Sequence, residues 1–269
     1  MTSLPGRLVL LGHPVAHSLS PTFQNAALRR AGLPLRYEAV DVTPDALGGV
    51  LDELVAANGA GNVTVPHKEA VFARCTRRSE LAERVGAVNT FWVESGQLVG
   101  DNTDVGGFLD LLSQTAPNVD RARPTAVIGA GGSAAAVLAA LEHAGFGDVR
   151  VCARTSSRAT ALCERFVGAH PSHSEADAIR GAGLVVNATP LGLDGLSRPF
   201  DVALVDRDAV VLDLVYVRDD ETPLVKAAHA RGLVATSGLP MLLGQGARSF
   251  ELWFGIAPDR DVMRASVAR

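Results

Sequence analysis

The chain has 269 residues, 47% of them hydrophobic and 20% charged, enough to bury one large core or two of moderate size. A formal net charge of -4 gives no general attraction to nucleic acid or to an anionic membrane surface, so the expected partner is a small molecule. Cys75, Cys152 and Cys163 are an odd number, widely spaced, which disfavours a disulfide framework or structural zinc and favours reduced, packed thiols.

The opening MTSLPGRLVLLGHP has no basic segment ahead of a long apolar run, and no later stretch is apolar for long enough to cross a bilayer; a cytoplasmic protein is expected. The run Arg7–Gly12 reads as a buried strand, followed by HSLSP and a helix with Ser20 as N-cap and Pro21 at its first position, ending at Gly32. Strand Arg36–Val42, a helix opened by Thr43-Pro44, strand Asn62–Val65 and helical residues after Pro66 come next. Ala87–Glu94 and Gln97–Asp101 flank Ser95-Gly96, a hairpin signal, so this half is an α/β unit with an antiparallel edge.

Composition turns polar over Ala116–Pro124, where the chain is expected to cross between domains. Strands Thr125–Gly129, Val149–Ala153, Leu184–Thr189, Val210–Val215 and Leu233–Thr236 then alternate with helical segments, the pattern of a doubly wound parallel sheet. Pro240–Trp253 closes the reading as an amphipathic helix.

Gly129, Gly131 and Gly132 stand where strand Thr125–Gly129 turns into a helix. Glycine there permits a tight turn and close backbone approach, while the first helical N–H groups face a ligand's pyrophosphate; the bland reading is a glycine turn that only permits helix–sheet packing. At the end of the next strand, units that bind NAD carry an acid for the ribose hydroxyls. Here Arg154, Thr155 and Arg158 follow it instead, which favours the 2′-phosphate of NADP.

In the first half, Asn62, Thr64 and Lys68 line or follow a strand ending at Pro66, and Asn89 and Asp104 end or enter neighbouring elements. An ammonium, a carboxylate and several neutral donors at one sheet edge suit a polyhydroxylated ligand, although each alone is ordinary capping or turn chemistry.

HSLSP, NVTVPHK, GAVNT, GDNTD, GAGGSA, NATP, DLVY, TPL and GLPMLLGQGARSF occur in the order found in the shikimate dehydrogenase family, which the chain resembles from about Gly12 to Gly255. The resemblance implies a two-domain α/β protein with the site in the cleft between the domains. An N-terminal mixed α/β substrate-binding and catalytic domain would take residues 1–104 and 239–269, and a Rossmann-type doubly wound parallel sheet binding NADP residues 105–238. The implied reaction is the NADPH-dependent, reversible reduction of 3-dehydroshikimate to shikimate in chorismate and aromatic amino-acid biosynthesis, with no metal. By the same resemblance Lys68 and Asp104 are the catalytic pair. Ser18 and Ser20 bind the substrate carboxylate, Thr64, Asn89, Asp104 and Gln245 its hydroxyls, with Tyr216 at the rim. Gly129, Gly131, Gly132 and Ser133 meet the pyrophosphate, Arg154, Thr155 and Arg158 the 2′-phosphate; Gly238 and Met241 lie near the nicotinamide, and Asn187 and Thr189 line the floor of the cleft. Monomer and homodimer stay open.

Four positions depart from the family pattern: Ala153 in place of an asparagine, Thr76 in place of a carboxylate, Val217-Arg218 in place of a proline, and Ala135 near a common arginine site. Other readings are a quinate/shikimate dehydrogenase with relaxed substrate or cofactor use, and a non-catalytic ligand sensor, which has no need of both Lys68 and Asp104. His170 and His173 have metal-pair spacing without a third ligand in a helical pattern, and Arg74, Arg77 and Arg78 read as a solvated helix face.

Overall fold

The computed structural model describes residues 4–218 and 220–268, so Met1–Ser3, which begin the leader reading and the expected first domain, and Arg269, which ends it, lie outside the described residues. Two compact units divide the chain, one of residues 1–107 and 242–269, the other of residues 108–241.

The first unit contains β1 (Leu8–Gly12), α1 (Ser20–Arg30), β2 (Tyr37–Asp41), α2 (Leu47–Ala56), β3 (Ala60–Val63), α3 (Lys68–Arg74), β4 (Arg77–Arg78), α4 (Glu80–Val85), β5 (Thr90–Glu94) and β6 (Gln97–Asp101). Its sheet runs β2-β1-β3-β5-β6-β4, with β1 parallel to β2 and β3, and β5 antiparallel to β3 and β6. The apolar run of β1 is continuous because both faces are covered. Val9 and Leu11 enter one core with Leu47, Leu51 and Phe91, while Leu8 and Leu10 enter another with Phe23, Phe250 and Trp253. At the β5–β6 turn, Ser95 and Gly96 adopt φ of 52° and 72°, the left-handed pair that a two-residue hairpin requires.

α5 (Asp104–Thr115) begins in the first unit and ends in the second, the division falling after Gly107. The passage expected over Ala116–Pro124 is therefore corrected: that polar stretch lies wholly in the second unit. There follow β7 (Thr125–Ile128), α6 (Gly132–His143), β8 (Val149–Cys152), α7 (Ser156–Cys163), β9 (Ala169–Pro171), α8 (Glu175–Ile179), β10 (Leu184–Asn187), β11 (Val210–Asp213), α9 (Pro223–Ala230) and β12 (Val234–Ser237). All six strands are parallel in the order β12-β11-β10-β7-β8-β9, a doubly wound sheet whose chain reverses its direction of travel next to β7. α10 (Leu239–Phe254) re-enters the first unit after Met241, and α11 (Arg260–Val267), capped by Asp259, packs on α1 with Met263 buried.

Several sequence expectations are corrected. Ser20 is the first residue of α1 and not its cap; Leu19 holds the cap position, and the Ser18 hydroxyl accepts the Ser20 N–H at 3.2 Å. β3 begins two residues earlier than expected, because Gly61 lets the Val9 carbonyl lie where a Cβ would stand, and Val65 already projects outward. Arg77 and Arg78 form an edge strand paired with Val99 and Gly100, not a helix face. His170 lies on β9, with Nε2 3.2 Å from an Asp148 carboxylate oxygen, so the helical pattern assumed for the histidine pair is absent.

Candidate active site

The chemistry of the first unit gathers at the carboxyl ends of β1 and β3, where a parallel pair leaves its loops free to bind. Thr64 follows β3, its N–H donating to the Leu11 carbonyl at 2.8 Å, and its methyl would collide with any Cβ at Gly12. Ser18 and Ser20 follow β1. Ser20 is buried, and the bond from the Ser20 N–H uses one acceptor site on the Ser18 oxygen while leaving the hydroxyl hydrogen able to donate.

α3 starts at Lys68 and α5 starts at Asp104, and these two first residues meet: Lys68 Nζ donates to Asp104 Oδ2 at 2.6 Å. Their side chains are only 12% and 7% exposed, so the pair is shielded from most solvent competition. Asp104 has a second partner. Its Oδ1 accepts from Asn89 Nδ2 at 2.9 Å, and its own N–H donates to Asn102 Oδ1 at 3.1 Å. The Asn89 amide also points at Thr103 Oγ1 at 2.9 Å and Gln245 Oε1 at 3.2 Å, while its Oδ1 accepts the Thr103 N–H at 2.7 Å.

These bonds join α3, α5, α10 and the residue ahead of β5 into one polar cluster in which the carboxylate faces an ammonium on one oxygen and a neutral donor on the other. Such a cluster can deliver a proton through Lys68 and hold vicinal hydroxyls through Asn89, Asp104 and Gln245. Among the site expectations of this unit, Lys68, Asp104, Asn89 and Gln245 are joined by hydrogen bonds, while Ser18, Ser20 and Thr64 lie on the neighbouring β1 and β3 edges.

Sequence reasoning named Asn62 but missed the support beneath the site to which it belongs. Asn62 Nδ2 donates to Ser249 Oγ at 2.8 Å and to the Asn89 carbonyl at 3.1 Å, its Oδ1 accepts the Tyr37 hydroxyl at 2.9 Å, and Ser249 Oγ meets Thr103 Oγ1 at 3.0 Å. Thr103 sat inside the quoted GDNTD motif and Ser249 inside the tail motif, but spacing along the chain gives no sign that they meet. His67 is wholly internal, donating from Nε2 to the Val42 carbonyl at 2.6 Å, whereas His13 pairs with Asp41 at 2.5 Å on the surface and holds the Asp41 carboxyl below its usual range.

In the second unit, β7 ends at Ile128 and Gly129 takes φ of +125°. A Cβ there would stand 2.8 Å from the Ala188 carbonyl oxygen, so only glycine fits. Gly131 caps α6 without a side chain, and a Cβ at that position would meet nothing within 4 Å, leaving the approach to Gly132 and Ser133 at the helix start open. That combination fits a pyrophosphate, which takes backbone N–H groups at a helix start. Past β8, Arg154, Thr155 and Arg158 are exposed at the start of α7 with no acid among them, and Thr155 makes no side-chain cap bond. This edge fits a dinucleotide carrying a 2′-phosphate.

The other expected cofactor residues behave differently. Asn187 is fully buried, its amide donating to Asp213 Oδ1 and the Leu191 carbonyl and its oxygen accepting from the Thr189 N–H and hydroxyl. Its polar atoms are thus engaged within the unit. Gly238 is required by the Leu214 carbonyl, which lies where a Cβ would stand. Met241 is buried at the start of α10, and Tyr216, half-buried, follows β11 in this second unit, apart in the chain's division from the other residues expected to bind substrate. Among the described residues, no group of three or more His, Cys, Asp or Glu is placed to hold a metal ion, and no helix is long and apolar enough to cross a membrane.

The family described as the shikimate dehydrogenase substrate binding domain matches residues 10–91, and the shikimate 5'-dehydrogenase C-terminal domain matches residues 238–268. The shikimate dehydrogenase (NADP(+)) of Mesorhizobium japonicum is 45% identical, over 96% of this chain and 94% of its own. The crystal structure of the Thermus thermophilus shikimate 5-dehydrogenase, in complex with NADP(H) and shikimate, is 42% identical, covers 98% of each chain and superposes with a TM-score of 0.86. A quinate dehydrogenase from Corynebacterium glutamicum, in complex with NAD, is 32% identical, with coverage of 96% and 97% and a TM-score of 0.86. Fold and similarity over nearly the whole length agree, and the chain belongs to the shikimate dehydrogenase family.

Proposed function

We infer that this chain catalyses the NADPH-dependent, reversible reduction of 3-dehydroshikimate to shikimate. The observation that carries this reading is the shielded Lys68–Asp104 pair, 2.6 Å apart, with Asn89 holding the second carboxylate oxygen. Residues 1–104 and 239–269 form the substrate-binding and catalytic domain on this reading, and residues 105–238 the cofactor domain.

Ser18 and Ser20 take the substrate carboxylate through hydroxyl donors, which avoids burying a second cation. Thr64, Asn89, Asp104 and Gln245 hold the ring hydroxyls, and Tyr216 sits at the rim. Gly129, Gly131, Gly132 and Ser133 receive the pyrophosphate, and Arg154, Thr155 and Arg158 the 2′-phosphate; Thr189, Gly238 and Met241 border the nicotinamide end. NADPH supplies a hydride from C4 of its nicotinamide. As hydride reaches the substrate's C3, Lys68 Nζ gives a proton to the C3 oxygen and stabilises the negative charge developing there. Asp104 orients the ammonium and shares its proton, and in the oxidative direction the neutral amine of Lys68 takes the proton back.

Three buried, free cysteines, with the thiols of Cys75 and Cys163 pushed up to about 12 and about 11 by burial, support a reducing, cytoplasmic setting. The net charge of -4 supports a partner list limited to small molecules, without nucleic acid or membrane, and the protein works as a monomer or homodimer.

Likeness to a quinate dehydrogenase that was solved with NAD favours one second reading, relaxed substrate or cofactor use. Absorbance at 340 nm, with shikimate or quinate and NADP or NAD in all four combinations, separates the two. Fast reduction with shikimate and NADP alone is expected. Comparable catalytic efficiency on quinate would overturn the substrate preference, and no reduction by folded protein that still binds shikimate would replace the enzyme with a sensor.

A further inference from the structure

The Asp213 carboxylate lies at the end of β11, wholly buried, and no step of the reaction uses it. It nevertheless gathers three elements. Oδ1 accepts from Asn187 Nδ2 at 2.7 Å and from the Val215 N–H at 3.1 Å, and Oδ2 accepts the Thr222 hydroxyl at 2.6 Å. Thr222 in turn caps α9 by accepting the Val225 N–H at 3.2 Å.

The chain of bonds continues away from Asp213. Asn187 Oδ1 accepts from the Thr189 N–H at 3.0 Å and from its hydroxyl at 2.7 Å, and Thr189 Oγ1 accepts the Leu191 N–H at 3.2 Å. The segment so ordered touches the glycine turn. Ala188 donates to the Ile128 carbonyl at 2.8 Å, and both the Ala188 carbonyl and the Thr189 methyl crowd the space beside Gly129. One wall of the turn that receives the pyrophosphate is therefore built by residues whose conformation is set two bonds away. The other side of the turn, β8 ahead of Arg154 and Arg158, is ordered by its strand pairing with β7 and β9.

We propose that Asp213 is a positioning residue which, through Asn187, fixes Ala188–Leu191 against the glycine turn and so sets affinity for the pyrophosphate–nicotinamide part of the cofactor. The proposal rests on the reading that NADP binds at this sheet edge. A buried relay of this kind acts by geometry: with the carboxylate gone, the Asn187 amide loses its shorter bond and keeps the one to the Leu191 carbonyl at 3.2 Å, the 188–191 turn gains alternatives, and the ligand must order it on binding.

Calorimetric titration of the full chain with NADP and with adenosine 2′-monophosphate, the fragment that keeps the 2′-phosphate but lacks the pyrophosphate and the nicotinamide half, tests it. Asp213→Ala and Asn187→Ala should each weaken NADP about tenfold while changing adenosine 2′-monophosphate less than about twofold. Asp213→Asn should stay near wild type for both ligands, because its carbonyl oxygen still accepts from Asn187 and Val215 and its amide can donate to Thr222. A simple loss of stability weakens both ligands together or neither, and either pattern overturns the proposal. Should Asp213→Ala not fold, Asn187→Ala and Asp213→Asn decide it. Because these are binding measurements, a wild-type protein that binds NADP without oxidising shikimate would sink the reaction and leave this inference standing; one that binds neither ligand would sink the cofactor reading.

Discussion

Replacing Lys68 by methionine removes the ammonium while keeping most of the apolar stem, and two separate losses follow. The catalytic loss comes from the missing proton donor, for which general acid catalysis contributes about 10²- to 10⁴-fold, and from the missing charge beside the developing oxyanion, for which one donor contributes about 10²- to 10³-fold. Because one group does both, the factors do not multiply, and kcat should fall by about 10³ to 10⁴, or roughly 4 to 5.5 kcal/mol of barrier. The structural loss comes from Asp104, 7% exposed, whose Oδ2 loses its partner at 2.6 Å. Leaving one half of a buried pair costs about 3–5 kcal/mol, a fall in Tm on the order of 10 °C. The double variant Lys68→Met with Asp104→Asn relieves the uncompensated charge, so it should regain most of the Tm and none of the kcat. Steady-state rates at 340 nm beside differential scanning calorimetry read both effects. A Lys68→Met protein that keeps more than about a tenth of wild-type kcat, or a double variant whose activity returns with its stability, would refute the assignment of the proton to this pair.

At Gly129, φ of +125° and a Cβ only 2.8 Å from the Ala188 carbonyl make Gly129→Ala costly by about 2 kcal/mol; Tm should fall and NADP titration should weaken, and an unchanged Tm would show that the turn relaxes freely. Arg154→Ser with Arg158→Ser removes the two guanidiniums at the start of α7; Kd for NADP should rise about 10- to 100-fold while that for NAD moves little, and equal losses for the two would remove them from the 2′-phosphate. Burial raises the Asp213 pKa above 3.8, against the opposing bonds from Thr222 and Asn187. The folded state therefore holds this proton where the unfolded chain has lost it, and the Asp213 contribution to stability falls as pH rises from about 3.8 through the folded pKa. Asp213→Asn lacks that dependence, so its Tm relative to wild type should climb between pH 4 and pH 7; a constant difference would contradict the raised value.

The strand centres were legible because burial on both faces leaves one readable pattern, a short β-branched or leucine run such as Leu8–Leu11 or Leu184–Val186 bounded by turn residues. What was not legible is what depends on a neighbour. β4 is two arginines and β9 is Ala-His-Pro; neither alternates, and each is a strand only because Val99–Gly100 or Val149–Val151 offers it an edge. The early start of β3 has the same origin, since Gly61 belongs to the strand by virtue of the Val9 carbonyl pressed against it. α11 did carry a local signal, Asp259 ahead of Val262, whose N–H it accepts, but it lies beyond the last motif that drew attention.

The site divides along a similar line. Lys68 and Asp104 open α3 and α5, so the residue type and the position at an element's start are both written in the sequence; their 2.6 Å contact is the product of two elements that begin at the same end of one sheet. Asn62, Thr103, Ser249 and Tyr37 form the layer beneath, and their partners stay hidden until the fold joins positions as far apart as 187 residues, Asn62 and Ser249. Buried polar groups must be satisfied, but the sequence does not say by whom. The same holds in the second unit, where Asp213 and Asn187 close each other's hydrogen-bonding needs across neighbouring strands. A residue that handles substrate has to be of a reactive type in an open place, which a sequence can display; a residue that fixes the reactive one has only to fit its partner. Substitutions in this lower layer should consequently move geometry before chemistry, raising KM or Kd while the catalytic pair stays intact.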